Sequence, residues 1–479
     1  MKQTDWKIVY STYSGAVKRA VHLLSKEIGK YLIREEGVYR IHVLPCEKEG
    51  CAVPKNAFFV GLYDESPALR QYVRAEEIRE KGYLVKVIPN PEEPECRLVI
   101  LTAASGRELI YAVTHFLDDY IPQFAPFHGS NRMPQLIFDA PLPEYCFTQA
   151  PDRRVRSIFT WGHSFNDYRA YIDNMARSKF NELIIWNNHL PINISDTIDY
   201  AHSYGISVVL GYSWGWKDYC KSDTLTDENI AELKRIIIQE YLDGYAQLEC
   251  DGIYFQSFTE RRDEAIGGKL IARTVTDMVN EVAEELWKIT PGLRLIFGLH
   301  ATSVRSRLEE IARVNPRIEI LWEDCGEYPY SYQSSVNSEE QFQETLAFTK
   351  ELLQLRGGVG VGLVFKGVMM LDWTKFVTPS GPYVMGENSV RLTEHDRRVR
   401  AAAWRIYSAN WVHNGAYADR MLRFIRDNQL GEVNMCLAGT FDGGLWLPVA
   451  LCGEMFYSLE GEYSDLISRV MRRECITVD

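Results

Sequence analysis

The 479-residue sequence has no run of about 18 apolar residues, the length a membrane-spanning helix needs, so no membrane partner is expected. A block of positive charge is also missing. Acidic residues outnumber basic ones by 65 to 53, a formal charge of −12, whereas nucleic-acid phosphates call for a basic surface. The ten cysteines form no CxxC pair and the ten histidines no HxH or HExxH motif. Metal sites are built on such spacings, so no metal or other cofactor is expected. A phosphate loop is absent as well: the glycine-rich segment 357–362 lies before and within an apolar run, and no Lys-Ser/Thr follows it. The first twenty residues show no apolar stretch with a small-residue cleavage site. That predicts a cytoplasmic protein with reduced thiols, Cys46 and Cys51 among them.

What is present is an alternation of two periodicities. In residues 1 to about 150, strands are expected at 6–10, 39–44, 58–63, 83–88 and 97–102, with an amphipathic helix over 16–32. A second helix should open at Ser105, with Glu108 completing a capping box. The proline-rich segment 121–151 reads as a linker closing this α/β accessory domain. From Arg156 onward, eight apolar runs (157–161, 182–186, 206–211, 252–256, 293–298, 318–322, 359–365 and 433–437) each precede a helical pattern. The fold class is therefore α/β: a (β/α)8 TIM barrel over 151–479 preceded by the small α/β domain. An open doubly wound sheet is the alternative.

A barrel of this kind carries its chemistry where the strands end. The strand ends here offer Trp161 and His163; Trp186, Asn187, Asn188 and His189; Tyr212, Trp214 and Trp216; Gln256 and Glu260; His300; Trp322, Glu323 and Asp324; Lys366 with Asp372 and Trp373; and Asp442. Paired carboxylates among many aromatic rings suit glycosidic cleavage, in which one carboxylic acid protonates the leaving oxygen and a second carboxylate drives attack at the anomeric carbon. Glu260 is the expected acid, shielded from water by Phe258. Glu323 and Asp324 compete for the second role, because neighbours on a strand face opposite ways. The tryptophans, with Tyr212, would stack on a pyranose face. The asparagines and histidines would read its hydroxyls.

The segments Leu98–Ala103 and Gly106–Val113, followed by the barrel, resemble the accessory domain of family 20 hexosaminidases and family 67 α-glucuronidases. Phe180–Asn188, with its paired asparagines, resembles the second barrel strand of the glucuronidases, and Tyr204–Leu210 resembles the strand after it in both families. The resemblance implies a glycoside hydrolase with an acid on the fourth strand, where Glu260 stands, and a carboxylate on the sixth, matching Glu323 or Asp324. Two departures are visible. The Asp-Glu pair of family 20 is replaced by Gln256-Ser-Phe-Thr-Glu260, and Lys366 stands near the place of the glucuronidase carboxylate after the seventh strand. The expected substrate is an oligosaccharide or glycan with a uronic acid or N-acetylhexosamine residue, whose carboxylate Lys366, Arg261 or Arg262 would meet. A carbohydrate-binding barrel without catalysis is one alternative, and a lyase or isomerase using Lys366 is another. The sequence leaves homo-oligomerisation open.

Overall fold

A computed structural model describes residues 6–29, 33–34, 37–38, 41–46, 53–123, 141–160, 167–186, 189–219, 222–324, 338–365, 381–386, 394–438 and 446–473. The N-terminal part contains β1 (Trp6–Tyr10), α1 (Gly15–Gly29), a small hairpin of β2 (Ile33–Arg34) and β3 (Gly37–Val38), β4 (His42–Pro45), β5 (Asn56–Leu62), β6 (Tyr83–Pro89), β7 (Arg97–Ala103), α2 (Gly106–His115) and β8 (Tyr145–Gln149). Six of these strands form one sheet in the order β4-β1-β5-β7-β6-β8, with β6 antiparallel to both its neighbours. α1 covers it with Val17, Ala20, Val21, Leu24 and Ile28, a stripe at i, i+3, i+4 and i+7 spacing.

Two local expectations change. The segment expected to be a linker supplies β8, because Tyr145–Gln149 pairs along β6 and completes the sheet edge. At α2, Ser105 takes the extended N-cap conformation, yet its hydroxyl bonds the Glu108 carboxylate instead of a backbone N–H.

The barrel consists of β9 (Arg156–Phe159), β10 (Glu182–Trp186), β11 (Ser207–Ser213), β12 (Gly252–Gln256), β15 (Leu295–His300), β16 (Ile318–Asp324), β17 (Val361–Phe365) and β18 (Asn434–Ala438). A short hairpin of β13 (Ala265–Ile266) and β14 (Lys269–Leu270) interrupts the series. Parallel pairing of β18 with β9, from Met435 opposite Arg156 to Ala438 opposite Phe159, closes the ring and rules out an open sheet. Around it run α3 (Tyr168–Arg177), α4 (Ile194–His202), α5 (Trp216–Tyr219), α6 (Asp227–Glu240), α7 (Ile271–Ile289), α8 (Leu308–Ile311), α9 (Glu339–Gln354), α10 (Glu394–Asp427), α11 (Trp446–Tyr457) and α12 (Tyr463–Arg473). Side chains of Asp167, Thr226 and Ser338 cap α3, α6 and α9. No helix among the described residues is long and apolar enough to cross a membrane.

The N-terminal sheet docks on the barrel through a buried ionic seam. Lys179, in a left-handed turn (φ 64°) ahead of β10, points its ammonium at Glu454 of α11 (2.9 Å) and at Gln149 of β8 (3.1 Å). Glu454 also meets Arg473 (2.9 Å) and Arg469 (3.4 Å) of α12, and Arg469 reaches Asp119 beyond α2 (3.5 Å). Burial alone would raise the Glu454 carboxyl, but Lys179, Arg469 and Arg473 hold it well below the usual carboxylate range. Replacing Glu454 with Ala should leave three clustered cations with Asp119 as a remaining counter-charge beside them. We expect a loss of about 3–5 kcal/mol in urea unfolding, against under about 1 kcal/mol for Glu285→Ala in the exposed Lys288–Glu285 pair.

Candidate active site

Side chains alternate along each barrel strand, and the barrel makes that alternation strict: odd and even positions face either the closed interior or the helical layer. The interior column holds Phe159, Ile184, Trp186, Val209, Tyr254, Ile296, Leu321, Val364, Cys436 and Ala438, all buried and in mutual contact. Above it, at the C-terminal ends of the strands, the column turns polar.

Glu323 on β16 is at the centre and fully buried. Its Oε1 accepts from the Tyr254 hydroxyl and from the Gln256 side-chain amide, both on β12. The same amide stands 3.2 Å from the Tyr254 oxygen. On its other side, Oε2 lies 3.2 Å from His300 Nε2 at the end of β15. These polar neighbours offset the cost of burying a carboxylate. Burial and the adjacent Glu323 charge push the Tyr254 hydroxyl well above its ordinary pKa, so it remains neutral and able to donate. His300 also faces Glu260, whose Oε2 is 3.8 Å from the same Nε2. Glu260 differs in one respect: its side chain is 42% exposed, and its Oε2 accepts from Trp216 Nε1 at 2.7 Å.

The two carboxylates thus meet at one histidine nitrogen, one sealed and one open to solvent. Contacts of 3.2 and 3.8 Å from that nitrogen keep the nearest oxygens of the pair within about 7 Å. That bound admits both the roughly 5 Å of retaining and the roughly 6.5–9.5 Å of inverting glycosidases. Trp186 forms a wall beside them, edge-on to Tyr254 (5.7 Å between ring centres) and to Trp216 (6.3 Å).

Local backbone makes this packing feasible. Between β15 and β16 the register shifts, so that Leu299 lies opposite Trp322 and His300 opposite Asp324, which leaves Glu323 as the extra residue of a bulge. One step below His300, Gly298 faces the Tyr254 hydroxyl. A Cβ there would stand 1.8 Å from that oxygen, so only glycine leaves room for the pair.

Of the residues expected from the sequence, Trp186, Trp216, Gln256, Glu260, His300 and Glu323 come together. Tyr212, Trp214 and Trp322 do not, and the expectation that they stack on a sugar is corrected. They share strand parity with Leu210 and Ile320, and so point into the core between barrel and helices. Trp214 stacks on Phe255 at 3.6 Å, Tyr212 on Tyr245 at 4.7 Å, and Trp322 is fully buried. His189 is exposed and lines a separate hollow with Arg235, Gln239 and Glu240. Phe258 is buried against Tyr219 in the outer core, so it does not seal Glu260 from water. Arg261 bonds the carbonyls of Tyr219 (3.2 Å) and Ser222 (2.6 Å), tying two loops together. Trp161, His163, Asn187, Asn188, Lys366, Asp372, Trp373 and Asp442 lie outside the described residues, as does the side chain of Asp324. Tyr254 and Gly298 went unrecognised in the sequence, although Tyr254 shares the parity of Gln256 two residues on.

No protein-family model matches the chain, and neither does any curated protein. Solved structures do share its fold. A family 115 4-O-methyl-α-glucuronidase with specificity for decorated arabinogalactans superposes with a TM-score of 0.57 at 11% identity, over 98% of this chain. This chain spans only 59% of that enzyme's length. An inactive mutant of a family 20 exo-β-N-acetylglucosaminidase from Vibrio harveyi gives 0.50 at 13% identity, covering 97% of this chain and 72% of its own. At such identities the likeness is one of fold: a glycoside hydrolase fold with an α/β domain and a barrel, as the sequence resemblance implied.

The Gly298–Tyr254 contact is directly testable. Tyr254 is hemmed in by Phe159 (4.7 Å) and Trp186, so Gly298→Ala cannot be absorbed by a ring swing. A loss of about 1–3 kcal/mol in urea unfolding is expected, the usual cost of overpacking; an unchanged midpoint would contradict the packing described.

Proposed function

We propose that the protein is a glycoside hydrolase that cleaves an oligosaccharide or glycan carrying a uronic acid or N-acetylhexosamine residue. The observation that carries this reading is the meeting of Glu260 and Glu323 at His300 Nε2, at the C-terminal mouth of the barrel. Glu260 is the general acid. It is the member of the pair that solvent, and hence a glycosidic oxygen, can reach. Glu323 is the second carboxylate, fixed by Tyr254 and Gln256 so that its negative charge faces the developing positive charge of an oxocarbenium-like transition state. The structure favours Glu323 over Asp324 for this role because the 319, 321, 323 parity faces the interior.

The substrate class draws on the sequence resemblance together with the printed activities of the two structural neighbours, one acting on a glucuronide and the other on N-acetylglucosamine. Trp186 and Trp216 supply apolar faces for a sugar ring. A carbohydrate-binding barrel without catalysis would need the aromatic wall but not a buried, hydrogen-bonded carboxylate opposite an exposed one.

Hydrolysis of aryl glycosides and uronic-acid or N-acetylhexosamine oligosaccharides tests the assignment. On unactivated substrates, Glu260→Gln should lower kcat by roughly 10²–10⁴-fold, and Glu323→Gln by at least about 100-fold. Aryl glycosides with good leaving groups should be spared in the first variant and not in the second. Sugar binding by calorimetry with no cleavage by the wild type would favour the binding protein.

A further inference from the structure

Trp216 reaches Glu260 because of a reversal one residue earlier. At the end of β11 the chain sends Trp214 outward onto Phe255, and Gly215 then adopts φ +97°. A Cβ at Gly215 would lie 2.8 Å from Leu233 and 3.1 Å from Phe258, so glycine is required both for the angle and for the space. α5 starts at once, anchored by the Lys217 N–H donating to Ser213 Oγ (3.1 Å). Trp216 is thereby turned back over the barrel mouth, ring edge toward Trp186 and Nε1 toward Glu260 Oε2.

An indole N–H can donate but never accept. While the 2.7 Å bond lasts, Glu260 Oε2 must be an acceptor, and a proton on this carboxyl belongs on Oε1. We propose that Trp216 is a positioning residue for Glu260: its N–H fixes the carboxyl rotamer and directs the transferable proton to Oε1. This rests on the hydrolase reading for what Glu260 does with that proton, although the hydrogen bond itself does not. In the transfer, the Oε1–H bond breaks and the proton joins the glycosidic oxygen. The bond from that oxygen to the anomeric carbon breaks with its electron pair staying on oxygen, and the new Glu260 carboxylate is still held at Oε2 by Trp216. Among the described residues, His300 of β15 faces Glu260 with Glu323 of β16 behind it, and Arg261 and Arg262 follow it on its own loop.

Tryptophan emission gives a readout independent of catalysis, since a nearby carboxyl quenches indole differently when protonated. Wild type, Trp216→Phe and Glu260→Gln are titrated over roughly pH 3–9. The wild-type minus Trp216→Phe difference should show a titration step that Glu260→Gln abolishes. Alongside, Trp216→Phe is assayed on whichever glycoside the wild type cleaves. Its effect should fall on kcat more than on KM, while Trp216→Ala, which also loses the ring, should raise KM. A difference trace that persists in Glu260→Gln, or a kcat unchanged in Trp216→Phe, overturns the proposal. Should no glycoside be cleaved, the hydrolase reading fails alone, and the emission titration still decides whether Trp216 holds Glu260.

Discussion

A closed barrel gives each strand side chain only two destinations, and the rest of this molecule follows from how the sequence fills them. Outward positions such as Leu210, Tyr212 and Trp214 on β11, or Ile320 and Trp322 on β16, must be apolar enough to lie under helices. Inward positions have to fill a column of fixed width. The column is apolar through its middle and becomes polar at its ends, where solvent or opposite charge can satisfy what is buried. The carboxylate at position 323 is therefore not an isolated oddity: it stands where the column ends, its neighbours on β12 carry the donors that make its burial tolerable, and His300 of β15 stands beside it.

Both ends of the barrel contain buried charge, and the contrast between them separates scaffold from chemistry. At the N-terminal end, Arg294 lies between Glu182 and Glu319, with Ser157 donating to Glu182 (2.8 Å) and Asn434 to Glu319 (3.0 Å). Burial would weaken the Arg294 charge, but the two carboxylates raise its pKa above the ordinary value. Every member has a partner of opposite character, which closes the network on itself. At the C-terminal end the chain of contacts runs from Tyr254 and Gln256 through Glu323 and His300 to Glu260, which also accepts from Trp216 and whose side chain is partly open to solvent. A network that includes an exposed carboxylate can meet a ligand, whereas a self-satisfied one serves the fold.

The periodicity of the apolar runs made the barrel legible: all eight strands stand within a few residues of the expected segments, because strands buried on both faces read as short continuous apolar runs. The choice between two neighbouring carboxylates was legible for a related reason. Adjacent Glu323 and Asp324 could not both face inward, although parity alone did not say which would. What escaped was context. Tyr212, Trp214 and Trp322 looked like sugar platforms because aromatic residues cluster at strand ends, yet parity within their own strands already assigned them to the helical layer. Tyr254 was absorbed into an apolar run, and nothing local shows that its hydroxyl ends beside a glutamate 69 positions later in the chain. Gly298 was invisible for the same reason, since a glycine inside a strand declares a close approach without naming the partner. β8 was hidden by the prolines around it.

The position of the ionic seam also decides what the N-terminal domain can contribute. Lys179 stands just before β10, and Arg107 of α2 helps to line the hollow beneath the barrel with Arg294 and Glu319. Tyr111 of α2 likewise meets Arg156, the first residue of β9 (3.4 Å). The accessory sheet therefore grips the barrel where strands begin, at the pole opposite Glu260. The described cluster at the mouth draws on β10, β12 and the loop after it, α5, β15 and β16. Docking at the N-terminal pole holds the first residues of β9 and β10, so the domain supports the frame on which the candidate site is built. At the barrel's own strand ends, Gly215 and the bulge at Glu323 are points, among the described residues, at which the backbone departs from regular geometry to bring an aromatic ring and a carboxylate into the mouth.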